Sequence, residues 1–570
     1  MKNITFTLRS VILMCTLLVA ASVSAYDFMV DGIYYDLIDS YISEVYDDGG
    51  NLKVDGVLFD DGVFVTNGEN EYSGAVEIPQ TVSYNNKTYR VTGIVSDAFE
   101  DCRTLTSITL PNTVTFIGSG AFAGCCSLSK VVFSQYLRYI GECAFLRCES
   151  LNRIDLPAYL QTIDELAFCG SGLKSISIPD SVTVQTRAFS HTPIENISVS
   201  STAKLMGLGI FDETPWMMKQ PNNEFIYIGT HLYCYNGILP EGSTVAIREG
   251  TTGIVGGAFG PYYNQEDYSN TSQGINKVEM PNSVKYIGGW AFTRTHLVKA
   301  NIPNSVENIG YAAFEGCTDL VSANVPCAVK NLDDYAFSDC TSLRSVTLEE
   351  GLETIRECAF SGDEKLNDLI IPNSVRLIDY HAFDNCTSLK KITIGDNTEI
   401  IRREAFKGTM LMEITIGSGT KYIGFYSFNG NIGASKVTCL AITPPAIFYY
   451  GYDNYKKTND IIVVTDDDYD CHKTFNTDTY TQATLFVPKG SEEDYKAASP
   501  WKDFVHIVGI DTDPEPGDVN GDSEVNIADV NHAVKAILNG DTDERFDVNG
   551  DGEINIADIN AIVKIILGIS

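Results

Sequence analysis

Positive charge is scarce in this chain: 40 lysines and arginines stand against 75 aspartates and glutamates over 570 residues, a net charge of −35. So acidic a surface repels phosphates, which argues against DNA, RNA and anionic membrane as main partners and favours divalent cations. Long apolar runs are lacking too, except near the start. After residue 25 no stretch holds 18 uncharged apolar residues, so no membrane-spanning helix is expected there. The first residues, MKNITFTLRSVILMCTLLVAASVSAYD, combine a basic start, an apolar run Val11–Val19 and small residues at Val23-Ser24-Ala25. They read as a signal peptide cut after Ala25, so the mature chain is expected to be exported, secreted and extracellular.

Catalytic signatures are missing as well. The seven histidines share no motif, and there is no Gly-x-Ser-x-Gly elbow, His-Glu-x-x-His pair or phosphate-binding glycine loop. Cys471-His472 are sequence neighbours and poorly placed as nucleophile and base, and Asp466–Asp470 reads as a solvated loop. The chain is therefore not expected to be an enzyme.

What is present is a period. Ala-Phe ends at Phe99, Phe122, Phe145, Phe168 and Phe189, and again at Phe259, Phe292, Phe314, Phe337, Phe360, Phe383 and Phe406. Most steps are 23 residues, and Phe211 and Phe428 keep the phase with Ile210 and Ser427 replacing alanine. A fixed period of this length implies a solenoid, whose single turns cannot bury their apolar side alone. In "LTSITLPNTVTFIGSGAFAGC" the alternation at Ile108-Thr109-Leu110 predicts a short strand, which Pro111 ends because it has no N–H to give a ladder. Val114 and Ile117 return the chain along another side, and Ala121-Phe122 fills the core. Successive strands would pair in parallel.

Cys102, Cys125, Cys148, Cys317, Cys340 and Cys386 follow the same period. They suit stacked apolar filling, with disulfides between adjacent turns as the alternative. The outward strand positions, among them Ser107, Thr109, Lys130, Arg153, Asp155, Ser175, Ser177, Asn324, Ser345, Thr347, Lys391, Thr393, Glu413 and Thr415, are small, polar and mixed in charge. Such a face suits a protein-binding surface or a spacer better than a carbohydrate cleft.

The turns "LPNTV", "IPDSV" and "MPNSV", each followed by Ile and then Ala-Phe, resemble the BspA-like subfamily of leucine-rich repeat proteins over about residues 92–435. That resemblance implies a non-catalytic surface adhesin or protein-binding receptor. Around the repeats, residues 26–91 read as a β-rich cap. Residues 212–257 look like a β-hairpin insertion, and 261–277 is a second interruption. Residues 436–509 read as a C-terminal cap over the last strand edge, with Ser491 and Asp494 suited to a capping box. Residues 510–516 would be a linker.

From there the chain repeats itself in acid. Asp518, Asn520, Asp522, Asn526 and Asp529 occupy positions 1, 3, 5, 9 and 12 of one loop, and Asp547, Asn549, Asp551, Asn555 and Asp558 those of a second. Oxygen ligands at this spacing wrap one hard cation each, with the backbone carbonyls of Glu524 and Glu553 at position 7. An apolar stripe follows each loop at helical spacing: Val530, Ala533, Val534, Ile537, and Ile559, Ile562, Val563, Ile566. Gly540 and Gly568 are placed to end those helices.

The duplicated loop and helix resemble a type I dockerin across residues 517–568. The resemblance implies two Ca²⁺ ions, metal-dependent folding and docking to a cohesin-type domain on another protein. It also implies that Ile527, Ala528, Ile556 and Ala557, with Lys535 and Lys564, read the partner. The expected fold is thus a repeat solenoid of short parallel strands with β-rich caps, followed by a small α-helical calcium-binding domain. Its role would be an exported protein-binding adhesin or, alternatively, a non-catalytic component of an extracellular polysaccharide-degrading complex. A metal-stabilised cap without a cohesin partner is a third reading.

Overall fold

The computed structural model describes residues 26–37, 62–68, 70–260, 262–263, 270–271, 274–431, 433–450, 461–463, 473–511, 517–519, 525–539 and 544–568. The signal segment, the 512–516 part of the linker, the acidic run Asp466–Asp470 and Cys471-His472 lie outside the described residues. Two compact units form, one holding residues up to Leu297 with Pro303–Cys317, the other holding Val298–Ile302, Thr318–Gly451 and the chain from Asp460.

Within the first unit each turn carries two short strands in separate parallel ladders. Leu105–Thr109 pairs with Lys130–Val132 so that Ile108 lies beside Val131. Phe116–Ile117 pairs with Tyr139–Ile140, and the ladder runs on through Ile163, Val184 and Leu205 in one register. Between the two strands Val114 N–H bonds back to the carbonyl of Pro111 at 3.1 Å, which turns the chain onto its next side. The second unit repeats the plan, with Leu332, Ile355, Ile378, Ile401, Ile423 and Ile447 in register.

The Ala-Phe side of each turn has a different backbone. The residues two before and two after the phenylalanine are left-handed: Asp97 (φ 58°) and Asp101 (φ 53°) around Phe99, and Cys143 (φ 55°) and Arg147 (φ 57°) around Phe145. For a non-glycine residue this costs about 1–2 kcal/mol. The return is hydrogen bonding. Asp97, Phe99 and Asp101 all donate forward, to the carbonyls of Ser119, Ala121 and Ala123 at 2.9, 2.7 and 2.7 Å. Gly120, Phe122 and Gly124 do the same to Glu142, Ala144 and Leu146. In the second unit Cys358, Phe360 and Gly362 donate to Tyr380, Ala382 and Asp384. The alternate peptides bond within their own turn, Glu100 N–H to the Asp97 carbonyl and Cys102 N–H to the Phe99 carbonyl, both at 3.1 Å.

Over four turns of each unit the position after this side alternates between a side chain and glycine: Asp101, Gly124, Arg147, Gly170 in the first and Asp339, Gly362, Asn385, Gly408 in the second, all left-handed. The alternation stops at His191 and Glu213 in the first and at Gly430 in the second. The long side chain leans over the next turn's glycine: a Cβ on Gly124 would lie 2.4 Å from Asp101 Oδ1, and one on Gly362 2.3 Å from Asp339 Oδ1.

Beneath this backbone the phenylalanines stack. Phe122–Phe145 and Phe145–Phe168 have centroids 5.0 and 5.1 Å apart and planes within 8° and 1°. Phe360–Phe383 and Phe383–Phe406 repeat this at 5.2 and 5.1 Å. The stack continues beyond the residues that carry the sequence period. Tyr72 packs on Phe99 at 4.2 Å, and Phe475 on Phe428 at 5.2 Å. Thr474 and Asn476 beside Phe475 accept the forward N–H groups of Phe428 and Gly430.

The periodic cysteines are core, as their phase suggests. Cys125 and Cys148 are buried, and each donates its thiol to the phenylalanine carbonyl of the preceding turn, Phe99 at 3.0 Å and Phe122 at 3.2 Å. Cys317 and Cys386 make the same contact to Phe292 and Phe360. Burial pushes the Cys125 thiol up to about 12. Among the described residues no disulfide forms. Thr192, Thr295 and Thr409 fill the same position by bonding the carbonyl of their own turn's phenylalanine.

After Phe211 the regular turns break for a short helix, Pro215–Met218, and an antiparallel hairpin, Phe225–Ile228 with His231–Tyr235. The parallel ladder then resumes through Leu232, Ile254, Ile287 and Ile309. Before the first turn, Phe28–Val30, Ile33–Leu37 and Gly62–Thr66 form antiparallel strands that join the ladder at Lys87–Ile94.

Thr484–Pro488 and His506–Ile510 pair onto the edge of Lys436–Cys439 as two further parallel strands of the outer sheet. One expectation about this C-terminal segment needs correction. Ser491 does precede the helix Glu492–Ala497, but its hydroxyl donates to the carbonyl of Pro488, so no capping box forms.

Candidate functional site

The two acidic loops lead into two helices, Ile527–Asn539 and Ile556–Leu567. The second starts because Asn555 caps it: its side chain accepts from Ala557 N–H, and Asp558 reaches back to the Asn555 N–H. It ends at Gly568, left-handed at φ 64°. Equivalent residues from the two copies share one small core of Val519, Ala533, Ala536, Phe546 and Ile562, flanked by Val525 and Ile554, Val530 and Ile559. The predicted apolar stripes are only partly used. Val534 and Ile566 are exposed, because a two-helix core has no third element to cover that side.

Of the expected ligands, Asn520, Asp522 and Glu524 lie outside the described residues, as does Gly540. In the second loop Asp547 Oδ1 and Oδ2 accept from the N–H groups of Asp551 and Gly552 at 3.0 and 2.8 Å, and Asn549 Oδ1 accepts from Asp551 N–H at 2.8 Å. These turns coil the loop around its own oxygens. Asp558 is fully buried and accepts only backbone N–H groups, from Asn549 at 3.1 Å and Asn555 at 2.8 Å. Asp529 occupies the same place in the first loop, accepting from Val519 and Asn526, and Asp518 is buried near it. Among the described residues no three His, Cys, Asp or Glu side chains converge as a metal cluster. The donor chemistry nevertheless fits a hard cation. Carboxylate and amide oxygens at the loop positions are the donors that such a cation takes.

The expected reading residues lie on the outside. Ile527 and Ile556 are 67% and 71% exposed, Ala528 and Ala557 are half-buried, and Lys535 and Lys564 are exposed. The structure adds two that the sequence reading missed: Leu538 and Leu567, 79% and 63% exposed at the same register in each helix. The signal was there, eleven residues after each isoleucine, but neither leucine falls in the apolar stripes that the sequence marks. Each helix therefore shows an isoleucine at its start and a leucine at its end to solvent.

On the repeats, the outward strand positions are mostly exposed or half-exposed. Thr393 is the exception at 7%, because its short side chain sits in register between Ile370 and Thr415. The turns also show an exposed aromatic pair, Tyr136 and Tyr159, at 5.6 Å on successive turns.

One cluster invites a catalytic reading. His381 Nδ1 contacts Asp384 at 3.2 Å and Glu404 at 3.7 Å, and the bond to Asp384 raises the imidazole above its ordinary range. Glu404 is in turn held by Arg403 and Lys407. The thiol whose ionisation this cluster opposes, Cys358, is pushed up to about 11, chiefly by burial. That is the wrong direction for a nucleophile, so the cluster is an ion-pair network. No helix among the described residues is long and apolar enough to cross a membrane.

A model of the BspA type leucine-rich repeat region matches in six copies over residues 92–217, 264–386 and 353–444, more than half of the chain. A model of the dockerin type I domain matches residues 516–567. No curated protein matches significantly. Among solved structures the chain is similar to a leucine-rich repeat protein of Bacteroides ovatus, at 26% identity over 72% of this chain and 94% of that one, with a TM-score of 0.31. It is also similar to a leucine-rich cell surface protein of Faecalibacterium prausnitzii, at 22% identity over 66% and 96%, with a TM-score of 0.23. Both families are non-catalytic protein-interaction modules. The chain belongs to the BspA-type leucine-rich repeat proteins and carries a type I dockerin domain behind its repeats.

Proposed function

We propose that this is an exported adhesin-like binding protein. Its repeats present the recognition surface, and its dockerin attaches it to a cohesin-type domain on another protein. The observation that supports this most is the duplicated outward pair, Ile527 with Leu538 and Ile556 with Leu567, each largely exposed on its helix. Apolar residues held outward twice in one register suit a protein partner better than water. Asp518, Asn520, Asp522, Asn526 and Asp529, with the Glu524 carbonyl, would hold one Ca²⁺. Asp547, Asn549, Asp551, Asn555 and Asp558, with the Glu553 carbonyl, would hold a second. The bound ions would neutralise the buried carboxylates and so fix where each helix begins.

The exposed tyrosine pair and the dockerin together favour one further reading, a non-catalytic component of an extracellular polysaccharide-degrading complex. A pull-down with the mature chain from envelope and secreted proteins, in calcium or chelator, tests both. Calcium-dependent recovery of a cohesin-bearing protein, lost in the double variant Ile527→Asp/Ile556→Asp, is expected. Equal recovery in chelator would refute the docking reading. Retention on fibrillar polysaccharide, with none on matrix proteins, would move the assignment to the second reading.

A further inference from the structure

The inserted hairpin is joined to the repeats before it by a buried polar contact that the mechanism of binding does not use. The parallel ladder of the first turns ends at Lys204–Leu205. The Leu205 N–H at this end is accepted by the phenol oxygen of Tyr286, 2.9 Å away, a residue 81 positions on. Tyr286 reaches there by passing over Gly253, where a Cβ would lie 2.1 Å from its ring. Its hydroxyl also meets His231 Nδ1 at 3.0 Å, and His231 Nε2 meets the Ser200 carbonyl at 2.9 Å. Both rings are buried, His231 completely and Tyr286 to 2%.

These contacts allow one arrangement of protons. The phenol oxygen accepts from Leu205, so its only hydrogen goes to Nδ1, which must be an acceptor. Nε2 then carries the hydrogen and donates to Ser200. A second proton, on Nδ1, would set two donors against the phenol oxygen and leave the phenol hydrogen without an acceptor. It would also bury a cation with no counter-charge.

We propose that this joint is an acid-opened seam: protonation of His231 releases the hairpin Phe225–Tyr235 from the end of the preceding ladder while the turns on either side stay folded. Around the imidazole the charged and titratable groups on the packed elements are the Tyr286 phenol; Asp180, bound by Ser200 and Thr202; Lys204 at the ladder's end; Lys285, paired with Glu307; and Arg248, bonded to the Gly229 carbonyl and lying over Tyr227. Of these, the Tyr286 phenol contacts the imidazole and no charged group does, among the described residues. Farther along the hairpin Tyr233 and Cys234 face Asp212, whose carboxyl burial raises, and the His231→Gln variant separates its titration from that of the imidazole. Burial holds the imidazole below its ordinary 6.5. The closed seam thus resists the proton that the open seam accepts. The seam is fully held above pH 6.5 and loosens as pH falls, approaching about tenfold in opening per unit until the closed-state value is reached.

Hydrogen exchange of the Leu205 amide in the full-length chain tests this, with rates corrected for intrinsic exchange. A rise in opening of up to about fivefold from pH 6.5 to 5.5 is expected, since the open-state imidazole is already half protonated at 6.5, with the Ile140 amide unchanged. His231→Gln should abolish the dependence on pH. Tyr286→Phe, which keeps the imidazole, should leave the Leu205 amide unprotected at every pH. Constant protection of Leu205 across this range in the unaltered chain would overturn the proposal, as would an undiminished acid response in His231→Gln.

Discussion

Phe145→Ala strikes the repeat where its turns hold one another. The ring is fully buried and touches three others: Phe122 and Phe168 stacked at 5.0 and 5.1 Å, and Phe133 edge-on at 5.8 Å. Truncating a buried phenylalanine costs about 3–5 kcal/mol, and aromatic pairs add about 0.5–1.5 kcal/mol each beyond area. The loss should therefore sit at the upper end, about 5 kcal/mol, because neighbours fixed by main-chain ladders on both sides cannot collapse into the gap. At about 2–4 °C per kcal/mol for a unit of this size, Tm should fall by about 10–20 °C. Phe145→Leu, which refills most of the volume, should lose well under half of that. Because each turn contacts only its neighbours, the damage should also split the transition, with turns on one side unfolding before the other. Differential scanning calorimetry of the mature chain reads both effects. A single transition displaced by less than about 3 °C would refute the idea that the ring column couples the turns.

Three further outcomes follow from other parts of the molecule. Asp518→Ala with Asp547→Ala should remove the calcium-dependent gain in far-ultraviolet helicity and leave the β signal of the repeats unchanged; a gain that survives would remove the loops as ligands. Gly141→Ala should destabilise more than Gly170→Ala in urea titrations. A Cβ at 141 would lie 2.7 Å from the Gly118 carbonyl carbon and the Ser119 nitrogen, whereas at 170 it meets only Arg147 Cγ at 3.5 Å and costs the left-handed strain of about 1–2 kcal/mol; the reverse order would contradict the close approach of adjacent turns. Cys125, its thiol pushed up to about 12, should resist maleimide at pH 7–8 in the folded chain while exposed Cys327 reacts, and equal labelling by mass spectrometry would show that the cysteine column is open.

The period was legible because Phe122, Phe145 and their equivalents touch side chain to side chain, so each turn must spend the same residue at the same place. The left-handed positions beside them were not. Asp97, Leu166, Arg187 and Tyr335 share a backbone state and no side-chain chemistry, since what the site requires is a forward-pointing N–H that any residue can give. Tyr72 and Phe475 continue the stack but break the spacing, because the segments bearing them also close off strands and cannot keep the interval. At the acidic end the helix starts were readable from the duplication. The exposure of Leu538 and Leu567 was not, because apolar residues at helical spacing look the same whether they face a core or a partner.

The glycines beyond some of the phenylalanines bear on which turns of the array could change places. Gly124 and Gly362 leave the room that Asp101 and Asp339 of the preceding turn occupy, so each of those turns is shaped to the one ahead of it. His191 followed by Glu213, and Gly408 followed by Gly430, show that this is a local fit between neighbours and not a rule of the whole array. A turn moved elsewhere keeps its fit only where the residue ahead of it leaves the same room.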